Sequence, residues 1–325
     1  MRAPEFWTSR TFAAKTCAAL LAPCGALYGA SVRLRRAQAR PYRARARVFC
    51  VGNLTAGGSG KTPVAIAVGS LLAAHGDVVF LTRGYGGRLD GPVVVDPSHH
   101  TAHDTGDEPL LLARRHRTIV ARNRAAGAYL ADAGGADFII MDDGFQNFSL
   151  AKDYSLLVVD AESGFGNGRL IPAGPLREPV GAGLARANAI VLTGSGDPAL
   201  PPFDGLILRA RFVPENVEPL RSRKVVAFAG IGRPGKFFSM LSANGVELIG
   251  ARAFPDHHVF TTREVDELKE QAANSNALLA TTEKDFVRLH PSQRDGIEPI
   301  AIHASFDSSF MDSIMARLPE SAFVR

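Results

Sequence analysis

The densest run of chemistry-bearing residues is Gly52-Asn53-Leu54-Thr55-Ala56-Gly57-Gly58-Ser59-Gly60-Lys61-Thr62. It lies between an apolar, β-branched stretch and a stretch compatible with a helix. Closely spaced glycines let successive backbone N–H groups turn toward phosphate oxygens, and a following helix adds the positive end of its dipole. Lys61 is placed to reach the β- and γ-phosphates of ATP, and the Thr62 hydroxyl to ligate Mg²⁺. Residues Thr55, Ala56, Gly57, Gly58, Ser59, Gly60, Lys61 and Thr62 are therefore the candidate nucleotide loop. It departs from G-x4-G-K-S/T in one place, where Thr55 stands for the first glycine.

A second string, FIIMDDGFQ, is an apolar strand ending in Asp142 and Asp143. At the carboxyl edge of a sheet beside such a loop, an acid of this kind holds Mg²⁺ directly or through water. Successive strand residues point to opposite sides, so one of the two carboxylates is expected to be the ligand. SLLVVD ends at Asp160, the main competitor for this role.

These residues need a sheet to carry them. RVFCVGN (47–53), VVFLTRG (78–84), PVVVD (92–96), RTIVA (117–121), DFIIMDD (137–143), SLLVVD (155–160) and AIVLTG (189–194) read as buried strands. Continuous rather than alternating apolar runs suit a parallel sheet covered on both faces, and the strand–helix–strand spacing predicts a doubly wound, mainly parallel α/β fold. Proline and glycine concentrate over 196–220 around one strand, LILRARF. A smaller α/β unit then follows, with strands in KVVAFAGIG, VELIGARAF, ALLATTEKD and PIAIHASF and helices over 235–244 and 262–274. The expected division is 1–46 as a basic membrane-associating segment, 47–212 as the P-loop domain and 213–325 as a second α/β domain completing the cleft.

The chain has 325 residues, 46% of them hydrophobic and 21% charged, enough for two cored domains and too apolar for general disorder. Three cysteines without metal spacing exclude a disulfide scaffold and fit a reducing compartment. The net charge of +5 is uneven: residues 1–47 carry +9, which leaves −4 for the rest. Within that segment, TFAAKTCAALLAPCGALYGASV precedes the basic run RLRRAQARPYRARAR. Lys15 and Pro23 interrupt any span, and a nucleotide loop needing cytosolic ATP follows too soon for export. An amphipathic helix lying in the interface fits best, with Phe6, Trp7, Phe12, Leu20, Leu21, Leu27 and Tyr28 as apolar contacts. The alternative is a soluble helix packed on the body. Few aromatics interleave with the arginines, so nucleic acid is not expected as a partner. His99, His100 and His103 stand in a polar loop where solvation is favoured over a metal site.

Taken together, VGNLTAGGSGKTP (51–63), TRGYGG (82–87), GDEP (106–109), DDGFQ (142–146), GNGRLIPAGPLREP (166–179), FPDHH (254–258) and TTEKD (281–285) closely resemble the tetraacyldisaccharide 4′-kinase family of lipid A biosynthesis. The resemblance covers most of the chain and includes the loop's missing first glycine. It implies transfer of the γ-phosphate of ATP to the 4′-hydroxyl of an acylated glucosamine disaccharide 1-phosphate, giving lipid IVA. It also implies a peripheral or monotopic enzyme on the cytoplasmic face of the bacterial inner membrane. By the same resemblance, Asp107 orients and deprotonates the sugar hydroxyl, assisted by His257, with His258 beside it as the alternative. Asp107 then belongs to the P-loop domain and His257 to the second, so the two are expected to meet only on closure, beyond hydrogen-bond reach without ligands. The bland reading of GDEP is an N-cap before a helix starting at Leu110. Arg83 and Arg177 are candidate phosphate or substrate clamps, and Glu108, Gln146 and Glu178 candidate supports. A P-loop ATPase, ligase or kinase acting on a soluble metabolite is the competing reading.

Overall fold

The computed structural model describes residues 4–9, 11–306 and 313–314. Its larger sheet is formed by β1 (Arg47–Gly52), β2 (Val78–Thr82), β3 (Val93–Val94), β4 (Thr118–Val120), β5 (Phe138–Asp142), β6 (Tyr154–Asp160), β7 (Ala189–Thr193) and β8 (Leu206–Pro214). A smaller sheet follows, with β9 (Lys224–Ala229), β10 (Glu247–Ala253), β11 (Leu278–Thr282) and β12 (Ile297–Ile300). The last strand, β13 (Ile302–Phe306), returns to the larger sheet, whose order is β13-β8-β7-β6-β1-β5-β2-β4-β3. Only β3 and β13 run antiparallel to their neighbours there. The smaller sheet, β10-β9-β11-β12, is wholly parallel.

β1 shows why the expected runs are unbroken by polar residues. Val48 and Cys50 enter the core on one face, while Phe49 and Val51 enter the core on the other. Such a strand has no solvent side, so no alternation is visible in its sequence. β1 pairs with β5 on one side and β6 on the other. The carboxyl ends of these strands deliver the nucleotide loop, Asp142 and Asp160 to one edge.

Four expectations need correction. PVVVD supplies only the two-residue edge strand β3, partly exposed and antiparallel, since it pairs on one side alone. PIAIHASF is not one strand but two: β12 stays in the second sheet, and β13 crosses over to cover β8. An uncovered β8 would leave a row of unpaired backbone groups at the sheet edge. The boundary placed at 212/213 therefore falls inside β8, and the chain crosses between the sheets a second time at Ala301. The helix in GDEP starts at Asp107, not Leu110, with Gly106 as N-cap and no side-chain cap bond.

In the second domain, helix Thr262–Asn274 starts at a capping box between Thr261 and Glu264 and buries Val265, Leu268 and Ala272 on one stripe. Its partner, helix Pro234–Ala243, buries Phe237 and Leu241. This domain is pinned to the first mainly by charge. Asp160 Oδ2 receives Arg233 Nη1 and Lys236 Nζ, each at 2.8 Å. Arg115 lies 3.5 Å from both Glu215 and Glu283. Asp160 is thus an interdomain anchor rather than the competing metal ligand.

Burial opposes ionisation of Asp160, but Lys236 and Arg233 outweigh it and hold the carboxyl down at about 2. A depressed carboxylate stabilises the fold above the ordinary carboxylate range, and that contribution is lost as pH falls through about 2. Asp160→Asn should cost about 1–3 kcal/mol at neutral pH. In thermal unfolding, the gap to the unmodified protein should narrow as pH drops from about 4 toward about 2. A gap independent of pH would remove Asp160 from the domain junction.

Candidate active site

The nucleotide loop is held from beneath by the segment leading to Arg177. Ala56 N–H donates to Pro175 O at 2.8 Å, and Thr55 bridges Leu176 in extended form. An extended residue paired with a neighbour needs no glycine, which explains Thr55. Asn53 is fully buried and donates to Ser59 Oγ at 2.9 Å, closing the loop from inside. Gly60 turns the chain at φ +77° against the Phe212 ring, where a side chain would collide. Helix Lys61–Leu72 then starts, and its first N–H groups have no acceptor within the helix.

The two adjacent aspartates are separated by backbone conformation, not by strand alternation. β5 ends at Asp142, and Asp143 leaves it in the left-handed region at φ +53°. Asp143 is gripped by Arg177 Nη1 at 2.8 and 3.0 Å, with Lys61 Nζ at 3.7 Å. Burial resists its charge, but Lys61 and Arg177 keep its carboxyl below the usual range. Asp142 Oδ2 instead accepts from the Thr62 hydroxyl at 2.9 Å, and its Oδ1 is buried without a partner. Burial, then Glu108 and Asp143, push this carboxyl up to about 7. A buried acid with one carboxylate oxygen left without a partner, joined to the Thr62 hydroxyl, is a donor set that fits a divalent cation.

Asp107 and His257 are already in contact. His257 Nδ1 and Asp107 Oδ2 are 2.9 Å apart across the domain junction, within hydrogen-bond reach rather than beyond it. The reason is burial: Asp107 is 4% exposed, and the second domain supplies the charges it needs. Lys284 Nζ is 3.9 Å and Arg288 Nε 2.9 Å from the same oxygen. Burial opposes its charge, yet Lys284, His257 and Arg288 hold Asp107 well below the carboxylate range. Its other oxygen accepts from Glu108 N–H, so the side chain faces the second domain and caps nothing at a distance.

His257 sits at φ +57°, and its ring meets that of Tyr85 at 5.7 Å between centroids. His258 turns the other way, stacking on Phe254 and reaching Glu264 at 3.0 Å. Of the two histidines, only His257 faces Asp107.

The supporting residues divide as well. Glu108 pairs with Lys284 at 2.9 Å; burial works against the Lys284 ammonium, but Glu108 and Asp107 hold it above the ordinary lysine value. Glu178 is buried and held by both terminal nitrogens of Arg186 at 2.8 Å, so it does not face the cation position. It accepts from Gln146 Nε2, which also donates to Asn53 O in the loop, while Arg177 reaches Gln146 Oε1 at 3.4 Å. Arg83 is exposed and has no acidic partner among the described residues.

The sequence reading missed Arg124. It is 3% exposed, and burial followed by repulsion from Arg83 lowers it to about 10 against the pull of Asp143 and Asp142. It also passed over Lys284 and Arg288; the TTEKD string pointed to their helix. The histidines of the polar loop are solvated: His99 pairs with Asp96 and Ser98, and His100 accepts from Asp96 N–H. Among the described residues no group of three His, Cys, Asp or Glu is placed to hold a metal.

A cavity of about 150 Å³ lies above the loop, lined by Thr55 to Ser59, Trp7, Arg233 and Asp256. A phosphate cradle beside an acid–imidazole pair suits a reaction in which a hydroxyl takes a phosphoryl group, and the fold and site define a P-loop kinase. The family described as tetraacyldisaccharide-1-P 4′-kinase matches residues 17–319. A tetraacyldisaccharide 4′-kinase from Parvibaculum lavamentivorans is 53% identical, aligned over 89% of this chain and 87% of its own. One from Rhodospirillum rubrum is 48% identical over 98% of this chain and all of its own. The crystal structure of LpxK from Aquifex aeolicus in complex with ATP superposes with a TM-score of 0.76 at 25% identity, covering 94% of this chain and 99% of that one. The chain belongs to the tetraacyldisaccharide-1-P 4′-kinase family.

Ligand binding to the orphaned carboxylate is measurable without turnover. Mg²⁺ should raise the melting temperature of the unmodified protein, because a ligand that binds only the folded state stabilises it. Asp142→Asn should abolish that rise while raising the melting temperature of the metal-free protein above about pH 7, since burial disfavours the ionised form of this carboxyl. An Mg²⁺ response that survives Asp142→Asn would move the cation elsewhere.

Proposed function

We propose that this enzyme transfers the γ-phosphate of ATP to the 4′-hydroxyl of a tetraacylated glucosamine disaccharide 1-phosphate, with Mg²⁺ as cofactor, at the cytoplasmic face of the bacterial inner membrane. The observation that carries the reading is the Asp107–His257 contact across the domain junction, with Asp256, the neighbour of His257, lining the cavity over the nucleotide loop. Thr62 and Asp142 would hold Mg²⁺, which when bound offsets charge on the phosphoryl oxygens. Lys61 is placed to follow the phosphoryl group's charge as it develops.

The dyad takes the proton of the attacking hydroxyl. Asp107, held by Lys284 and Arg288 and hydrogen-bonded to His257, is a weak base. It fixes His257 through Nδ1, which leaves Nε2 as the basic atom open to the sugar. This ordering reverses the one implied by resemblance, in which the carboxylate accepts and the imidazole assists. Such a pair is worth about 10²–10⁴ in rate.

The arm supports a lipid substrate. Helices Phe12–Leu20 and Ala22–Gln38 meet at a 51° bend, and no single helix among the described residues is long and apolar enough to cross a membrane. Ala14, Ala18, Gly25, Gly29 and Val32 face the body, whereas Phe12, Leu20 and Leu27 are 74–87% exposed. Phe6, Trp7, Leu21 and Tyr28 are half-buried, and Trp7 donates its indole N–H to Pro172 O. Large apolar side chains left in water while small ones pack inward suit an interfacial surface flanked by arginines.

Two measurements test this. Labelled phosphate from γ-labelled ATP should appear in tetraacyldisaccharide 1-phosphate, and Lys61→Ala should reduce the rate at least about a hundred-fold. No transfer to the lipid by the unmodified enzyme would sink the reading. Replacing Phe12, Leu20 and Leu27 by Asp should leave the fold intact but weaken binding to anionic vesicles at least about ten-fold, given roughly 1.5–3 kcal/mol per buried apolar side chain. Unchanged vesicle binding would reject the arm as the membrane contact.

A further inference from the structure

Arg288 lies three residues beyond the TTEKD string and outside every motif that carries the family resemblance. It closes helix Glu283–Arg288 of the second domain, and its side chain is only 6% exposed. Its guanidinium has four neighbours of interest. Nε is 2.9 Å from Asp107 Oδ2 in the other domain, and Nη1 is 3.1 Å from Asp285 Oδ1. Nη1 also donates to Gly230 O at 2.9 Å and, more weakly, to His258 O at 3.4 Å. Gly230 O is the same atom that accepts the His257 backbone N–H at 3.1 Å.

Asp285 completes the frame. It is fully buried, accepts Gly230 N–H at 3.0 Å and the Thr282 hydroxyl at 2.6 Å, and thereby holds the turn leading to His257. One planar, rigid cation therefore touches both the Asp107 carboxylate and the turn that presents its imidazole partner.

We propose that Arg288, resting on the kinase reading above, is a positioning residue that locks Asp107 and the His257 turn into one unit across the domain junction. It cannot touch substrate from its buried place, so it acts through the dyad. Its geometry is not that of a residue kept for stability alone. The contact with Asp107 is an ion pair without hydrogen-bond alignment, and Nη2 is buried with no partner. Burying a charge with incomplete pairing is costly, so stability by itself is a poor account of Arg288.

Arg288 is one of several charges around the dyad. Lys284 and His257 also face Asp107, with Glu108 next to it in the chain. Tyr85 and Asp256 face His257, the latter with its carboxylate 3.9 Å from Nε2. Removing Arg288 leaves less positive charge beside the Asp107–His257 pair, so the pair as a unit gains its proton at higher pH, in line with the roughly 1–3 units that one close opposite charge contributes.

The test compares Arg288→Met and Arg288→Lys with the unmodified full chain, using ATP and tetraacyldisaccharide 1-phosphate. For Arg288→Met, kcat should fall roughly ten- to a hundred-fold, a part of what a general-base pair supplies. KM for ATP should stay within about two-fold, since the nucleotide loop is untouched. The acid limb of kcat should move up by about one pH unit or more. Arg288→Lys keeps the charge but not the fork, so it should restore the acid limb while kcat stays reduced. A folded Arg288→Met enzyme with normal kcat and an unshifted limb overturns the proposal. So does a variant that only melts earlier, with normal kcat per folded molecule. If Arg288→Met does not fold, Arg288→Lys decides: reduced kcat at unchanged KM for ATP supports the proposal, and normal kcat ends it. If the unmodified chain does not phosphorylate this lipid, the kinase reading fails by itself. The Asp107 carboxyl carbon, followed by ¹³C NMR against pH, then still tests Arg288: an upward shift in Arg288→Met supports it and no shift overturns it.

Discussion

One buried carboxylate holds the two domains in a working relation. Asp107 sits in the first turn of a helix in the P-loop domain, nearly closed off from water, and all its counter-charges come from the second domain. An ionised acid in such a place is stable only when paired and hydrogen-bonded. His257, Lys284 and Arg288 meet that demand, so docking the second domain and bringing His257 to Asp107 are one event. The Asp160 contacts with Arg233 and Lys236 pin the domains a second time, at the wall of the cavity over the nucleotide loop.

The segment from Asn167 to Glu178 is a common frame for three parts that are remote in sequence. Near its start, Asn167 N–H donates to Trp7 O, and Pro172 O receives the Trp7 indole. Further on, Pro175 and Leu176 hold the start of the nucleotide loop. Arg177 then fixes Asp143 in its left-handed turn, and Glu178 anchors the segment through Arg186. Each hydrogen bond contributes only about 0.5–1.5 kcal/mol. Their value here lies in geometry, because the arm's entry, the phosphate cradle and the acid pair all share one rigid support.

The arm inverts the usual pattern of a packed helix. Small residues face the body, where Gly25 and Gly29 come close to Leu170, and large apolar residues face outward. A helix packed for stability alone would bury Phe12 and Leu27, each worth roughly 1.5–3 kcal/mol when removed from water. Leaving them exposed makes sense if another apolar phase is to cover them.

Much of this protein was legible before folding was considered. The phosphate loop, the strand ending in adjacent aspartates and the sheet's buried strands depend on local rules of glycine spacing and unbroken apolar runs. So do helix Thr262–Asn274 and the uneven charge. These rules act within a few residues and leave their pattern in the chain. Tertiary structure alone decided which of adjacent candidates does what. Asp142 and Asp143 were separated by a left-handed turn, His257 and His258 by an aromatic stack, and Asp160 was withdrawn to the junction by two cations. Glu178 was taken up by Arg186, and Arg288 was brought to Asp107 from the far end of another domain. Asp107 and His257 are 150 residues apart, and no periodicity or spacing reports a partner at that distance. The need of a buried charge for a counter-charge is met in space, wherever the chain's return happens to bring one.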